Sequence, residues 1–384
     1  MKARGVIPAT EVRELEESVR SAAFGSFAEG GTTGGGVRRF CGSRLCESAK
    51  ENAPALGLGA STDSLFSLPT CGWDADIIPC SKGNRHEAYS VKRIVGVGLV
   101  NKDCVAQVPA WERDGKTTAT AYFEQAGGPV PVALATLARL GWETKPLLFS
   151  VIGADRDGAE VSDWLSEDGL ETAYLQREAD IATSKSLVVL DSRDASRTLV
   201  NVATHLPPIQ IMEPHRDLLA GACLLHLDGR DLSATLIAAE IVKSHGGIVS
   251  LDLGTMRPGT EELLPLCDIV LASKKGAAGA FPAFADFPER QVFGFLERGA
   301  TIAGVTLGKQ GVVIGFGGQV RTLPAVPTPD AIDSCGAGDV FHGAFLWPIC
   351  RDGSRLTAPD SRRAPPVCVF VAWETTRVFR RLPM

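Results

Sequence analysis

The feature that most constrains this chain is a series of short, unbroken apolar runs separated by helix-length stretches. The runs cover residues 93–100, 146–152, 222–227, 247–251, 268–271 and 301–307, and Gly or Asp stops most of them. Apolar runs of that length, rich in β-branched residues, suit strands buried on both faces, as in a parallel sheet covered by helices. Helical patterns fall between them. Val132, Leu134, Leu137, Ala138 and Leu140 form one apolar stripe closed by Gly141, and residues 232–244 form another. The alternation predicts an α/β fold built on a doubly wound, mostly parallel sheet. Ligands of such sheets gather beyond the C-terminal ends of the strands. Residues 186–190 and 197–202 read differently, as a hairpin-like pair joined by 191–196, and residues 117–123 alternate like a strand. A last hairpin, 312–316 with 319–323, turns at Gly317-Gly318.

One string concentrates chemistry: Asp333-Ser334-Cys335-Gly336-Ala337-Gly338-Asp339-Val340-Phe341. Its glycines let the backbone approach a ligand and take positive φ. The apolar run behind them (Val340, Phe341, Ala344, Phe345, Leu346) starts a helix, whose N-terminal amides favour a phosphate. Asp339 then stands at the mouth of an anion pocket. A carboxylate there repels phosphate, and general-base catalysis of phosphoryl transfer would give it a purpose. From Gly-Ala-Gly alone, the same residues make a solvent loop with an N-capping aspartate. The full pattern is longer than such a turn requires.

That pattern resembles the C-terminal signature of the ribokinase-like (PfkB) carbohydrate kinases. The resemblance implies that Asp339 is the catalytic base and that Gly336, Ala337 and Gly338 form the anion hole. Ser334 stands where relatives usually carry Thr, and Asp333 joins the substrate side. Other motifs occur in the family's order. Gly98 to Asp103 is similar to a first strand ending in G-x-x-x-x-D, which makes Asp103 the carboxylate for substrate hydroxyls. Gly127-Gly128 before an apolar helix resembles the N-terminal signature, with Val132 where many members have a substrate-binding Asn. Gly153-Ala154-Asp155-Arg156-Asp157-Gly158 resembles G-x-D-x-x-G and reads as a turn and helix start. His226 and the residues around it resemble the ketohexokinase branch, and His226 itself reads as a packed core residue. The family's N-x-x-E motif falls on Ser273 to Gly276, so its carboxylate is missing. Thr306, Gly308 and Gly311 match a T-x-G-x-x-G nucleotide loop, in which Lys309 meets phosphate or solvent. The implied ligands are ATP, Mg²⁺ without a direct protein ligand, a stimulating monovalent cation, and a sugar or sugar-like substrate. A nucleoside kinase and a non-catalytic binding relative are the alternatives. The family also implies a small β lid, near 116–123 and 186–202, through which homodimers form.

Two look-alike motifs fail. Gly96-Val97-Gly98-Leu99-Val100-Asn101 lacks the third glycine and the helix of a dinucleotide fingerprint. Gly115-Lys116-Thr117-Thr118 would be a P-loop only with glycine at 110, which is Ala110. Outside 93–347 the pattern stops. Residues 1–92 read as a poorly ordered extension, rich in Gly, Ser and Pro around one short charged helix near 11–20. Four glutamates there argue against an organellar transit peptide, which stays the alternative to a cytoplasmic location. Residues 348–384 read as an irregular, altered tail, with Pro348 expected to cut the last helix short. The net charge of −6 argues against binding nucleic acid through a basic surface, and no apolar run is long enough to cross a bilayer. None of the 10 cysteines has C-x-x-C spacing, which suits a reducing compartment. Cys335, inside the glycine turn, reads as a space filler.

Overall fold

The computed structural model describes residues 93–202, 204–325 and 333–351. The expected extension up to residue 92 and the tail beyond 351 lie outside these residues, and so does the short helix near 11–20.

Nine strands form the main sheet, in the order β13-β12-β11-β10-β9-β8-β1-β4-β5. Its parallel body is β1 (Arg93–Val97), β4 (Leu147–Gly153), β5 (Leu175–Glu178), β8 (Ala222–Leu227), β9 (Ile248–Leu253), β10 (Ile269–Ser273) and β11 (Ile302–Thr306). The hairpin β12 (Val312–Phe316) and β13 (Gln319–Leu323) closes one edge antiparallel. Successive residues point to opposite faces, and both faces are apolar. Ile94, Leu148, Leu224, Ile269 and Ile302 lie in one buried cluster. Val95, Phe149, Leu225, Val270 and Ala303 lie in the other. Burial on both faces is why these strands read as continuous apolar runs. Helices α1 (Pro129–Arg139) and α2 (Arg156–Glu167) supply residues to the first cluster, and α4 (Leu232–Ser244) and α6 (Pro288–Glu297) to the second. The short helices α3 (Glu213–Ala220) and α5 (Lys274–Ala280) complete that second layer. The last helix, α7 (Ala337–Arg351), belongs to the first.

The second sheet has four strands, β3-β2-β6-β7. They are β2 (Asn101–Val108), β3 (Ala121–Gly127), β6 (Lys185–Asp191) and β7 (Ser196–Val202). Two sequence expectations need correction here. Residues 116–120 are not in a strand; the strand starts at Ala121. Asp103 does not end the first strand; it lies inside β2, a lid strand that starts after the bend at residues 98–100. A third correction concerns Pro348, which lies inside α7 instead of ending it. The helix persists because it packs closely on α1. A side-chain carbon at Gly343 would collide with the carbonyl of Ala133, so only glycine allows that approach.

Buried Lys102 joins the lid to the main body. Its ammonium group pairs with Glu124 of β3 at 2.6 Å, and with Asp157 and Glu160 of α2 at 2.8 and 2.7 Å. Burial opposes the charge, but the three carboxylates outweigh it and keep the amine protonated.

Candidate active site

Strand register lays out the inner face of the lid. Asp103 pairs with Gln125 and with Ser186, and Ser186 pairs with Asn201. Equal register puts these four side chains on one face, one per strand, as a polar row. Asn101 supports the row: its amide donates to Asp103 Oδ1 at 2.5 Å and to Ser186 Oγ at 2.9 Å. Ser186 in turn donates to Asn201 at 3.1 Å. Burial pushes the Asp103 carboxyl up to about 6, against the bonds from Asn101, Ser186 and Gln125. The next row on the same face is apolar: Phe123, Val105, Val188 and Leu199. Val105 and Val188, with Phe123 beside them, pack on Cys335 of the glycine turn. The Cys335 thiol, pushed up to about 12 by burial, is a filler under the lid.

Gly127 and Gly128 stand where the sequence puts them, between β3 and α1. A Cβ on Gly127 would overlap the Asp103 carboxylate. Gly128 has φ 115°, and a side chain there would strike the carbonyl of Leu99. The same α1 turn carries Val132, and a Cβ on Gly336 would sit 3.8 Å from its Cγ1. The residue replacing the family's Asn therefore lies against the anion turn.

In that turn, Asp333 accepts the Cys335 amide at 2.6 Å, and Gly336 takes φ 72° to enter α7. The first amides of a helix have no partner within it. Val340 N bonds Gly336 O at 2.9 Å, but the amides of Gly338 and Asp339 find no protein acceptor among the described residues. Unpaired amides at a helix N-terminus are chemically suited to receive an anion. Asp339 is half-buried beside it. Loss of solvent, and then the charge of Asp252, hold its carboxyl well above the ordinary range, while Arg197 opposes them. Such a carboxyl is a stronger proton acceptor than a solvated aspartate.

Several residues of the site have no signal in the sequence. Arg197 reaches across from β7 and donates to Ser334 O at 2.9 Å, and Ser334 Oγ donates to Ala195 O at 3.0 Å. The lid hairpin is thus bonded to the anion turn over more than a hundred residues of sequence separation. Asn101, Gln125, Ser186 and Asn201 are ordinary polar residues until the strands align them. Asp228, just past β8, accepts the amides of Leu99 at 2.8 Å and Arg230 at 2.9 Å. Asp252, in β9, is pushed up to about 7 by burial first and by the charge of Asp228 second. A carboxylate at a strand's C-terminal end was the available clue for both.

Asp103, Asp333 and Asp339 fall within one electrostatic field, since Asp103 raises Asp339 and Asp333 raises Asp103. Thr306, Gly308 and Gly311 lie farther along the sheet, beyond β11. Thr306 Oγ1 reaches Ala272 O at 3.4 Å, and the loop closes through Leu307 N to Gly311 O at 2.8 Å. No hydrogen bond among the described residues joins this loop to the 333–339 turn. The missing family carboxylate at Gly276 has a steric cause. Ser273 caps α5 through the Gly276 amide at 3.0 Å, and any side chain at 276 would run into the backbone of Leu253.

Comparison with known proteins identifies the family and the fold. The sequence profile described as pfkB family carbohydrate kinase matches residues 91–357. A ribokinase of Haemophilus influenzae is 27% identical over 68% of this chain and 87% of its own length. A nucleoside kinase of Methanothermobacter thermautotrophicus is 25% identical, over 72% and 88%. The ketohexokinase of Mus musculus is 23% identical, over 70% and 92%. Among solved structures, Arabidopsis thaliana ribokinase complexed with ribose and ATP superposes with a TM-score of 0.57 at 21% identity, over 74% of this chain and 92% of that one. A putative ribokinase II from E. coli in complex with ATP and Mg²⁺ gives 0.60 at 22%, over 76% and 94%. The chain belongs to the PfkB family of carbohydrate kinases, and is a phosphotransferase of the ribokinase-like fold.

Proposed function

We propose that this chain transfers the terminal phosphoryl group of ATP to a hydroxyl of a sugar or sugar-like alcohol. The observation that carries the reading is the pair of unpaired amides at Gly338 and Asp339 beside a carboxyl of raised proton affinity. Asp103, held by Asn101, accepts bonds from substrate hydroxyls under the lid, and Gly127 and Gly128 let the substrate approach the backbone. Asp339 takes the proton of the attacking hydroxyl. The amides of Gly336, Gly338 and Asp339 stabilise charge on the transferring group, while that of Ala337 is already engaged by Ser334 O at 3.4 Å. Arg197 adds a guanidinium on the lid side. Mg²⁺ brought in with ATP would neutralise phosphate oxygens, and Asp228 is the carboxylate that would meet its hydration shell. Thr306, Gly308 and Gly311 would line the nucleotide.

A phosphorylation screen of purified protein across sugars and nucleosides tests the substrate class. Turnover of a sugar, lost by about two to four orders of magnitude in Asp339→Asn with the fold intact, is expected. Near-normal activity of that variant would sink the assignment of the base. A nucleoside kinase is the second reading, because Val132 puts an apolar wall where a sugar contact is expected; turnover of nucleosides alone would select it. The outer lid face exposes Tyr122, Leu187, Val200 and Val202, which supports a homodimer joined through the lid.

A further inference from the structure

His226, Asp252 and His342 form a buried polar island between the sheet and α7. His226 of β8 pairs in register with Ser250 of β9, and Asp252 follows two residues later on the same face. Leu224 and Leu271 are apolar neighbours on that face, and Phe345 and Leu346 of α7 belong to the same buried cluster. One ligand atom from each of the three residues falls within 4.8 Å of the others. His226 and His342 are 0% and 3% exposed and Asp252 is 7% exposed. The His342 Nε2 to Asp252 Oδ2 distance is 3.6 Å, and the two imidazole centroids are 5.6 Å apart.

Two features point to a ligand. His226 Nε2 is buried with no hydrogen-bond partner; His342 Nδ1 is also unpartnered, but it is the ring nitrogen opposite the one that faces Asp252. An orphaned buried polar atom costs about 1–3 kcal/mol, so the arrangement demands a reason. His226 also has its other nitrogen engaged: Nδ1 lies 3.3 Å from Ser250 Oγ. When Nδ1 donates to that hydroxyl, the free lone pair is on Nε2. A metal-binding imidazole is oriented in this way, by a partner on its second nitrogen.

We propose that His226, Asp252 and His342 hold a divalent transition-metal ion of the zinc class. Two imidazoles and one carboxylate match Zn²⁺ in donor type and number, with water as the fourth ligand, and disfavour Mg²⁺, which prefers oxygen. A tetrahedral ion with bonds near 2.1 Å sets its ligand atoms about 3.4 Å apart. The His342–Asp252 edge already has nearly that length, so loading requires only that the His226 ring move inward. The ion would arrive on the Asp252 side, the least enclosed of the three. The site stands one helical turn from Asp339 and does not depend on the phosphoryl-transfer reading.

The test is titration of the full, chelator-dialysed chain with Zn²⁺, and with Co²⁺ as a spectroscopic probe. The expected result is saturable binding of about one ion per chain at this site, visible ligand-field bands of four-coordinate Co²⁺, and no competition from Mg²⁺. His226→Asn and His342→Asn should each weaken binding at least about a hundredfold, and Ser250→Ala about tenfold while keeping every ligand. Circular dichroism checks that each variant is folded. If a ligand variant unfolds, Ser250→Ala and the histidine ring signals of Co²⁺-loaded wild type decide. Unchanged affinity in the folded variants, or cobalt-shifted signals from histidines other than 226 and 342, would overturn the proposal. So would the absence of saturable binding in the wild type, which would leave water as the partner of His226 Nε2.

Discussion

Asp103 is a carboxylate whose environment works against its charge. Burial lifts it from an ordinary 3.8 to about 6. Between those values the folded state holds a proton that the unfolded chain has lost. The favourable contribution is therefore complete below about pH 4 and disappears as pH rises through 6. Asp103→Asn should stabilise the fold at pH 8 by on the order of 2 kcal/mol and hardly at all at pH 4. Denaturant unfolding at the two pH values measures this, and equal effects at both would refute it. The same variant should lose substrate affinity. Arg197 makes a different kind of contribution, since its guanidinium faces Ser334 and the field of Asp339. Arg197→Ala should lower turnover about 10- to 100-fold, the size of a lost charge-assisted contact, and Arg197→Lys should recover only part of it. Steady-state kinetics on the substrate found in the screen would check both. The sequence could not announce Arg197. A single arginine in an alternating strand has no meaning until β7 is placed over a turn far along the chain. The turn before Asp339 was legible as a glycine-rich helix start, but the role expected of Asp339 rested on the resemblance of the whole string from Asp333 to Phe341.

At the level of elements, legibility followed burial. Strands buried on both faces leave unbroken apolar runs, so β4, β8, β9, β10 and β11 could be read directly. β2 could not. Its sequence, Asn-Lys-Asp-Cys-Val-Ala-Gln-Val, faces the cleft on one side and α2 and solvent on the other, and it follows β1 almost without a break. Pro348 misled for a related reason. Proline opposes an isolated helix, but packing of α7 on α1 overrides it. The Lys102 cluster is the element that fixes the lid's base, and it also escaped notice because its partners come from β3 and α2. Removing this cation leaves Asp157 with Lys185 alone, Glu160 with Arg156 and Glu124 with the Tyr122 hydroxyl. Lys102→Ala should therefore destabilise the chain by about 2–3 kcal/mol, more than a surface lysine would. Chemical denaturation should report this loss, and a change under about 1 kcal/mol would refute a structural role for the cluster.

For the whole molecule, two sheets divide the work. The main sheet sets out the strand ends that carry Asp228, Asp252 and the Thr306–Gly311 loop, and the four-stranded sheet supplies the polar row. If dimers form through the outer lid face, Leu187→Lys or Val200→Glu should yield monomers by light scattering while leaving the inner row in place. An unchanged mass would rule that surface out. The polar row has a further consequence. Its four members come from four strands at one register, and an apolar row lies two residues farther along. If the row holds substrate as proposed, substitutions within it would change which molecule is held without touching the 333–339 turn. A slip of any one strand would instead erase recognition altogether. Selectivity in this chain can therefore drift by point substitution but not by insertion or deletion within the lid strands, and lineages that alter substrate should preserve lid strand length while varying the four row positions.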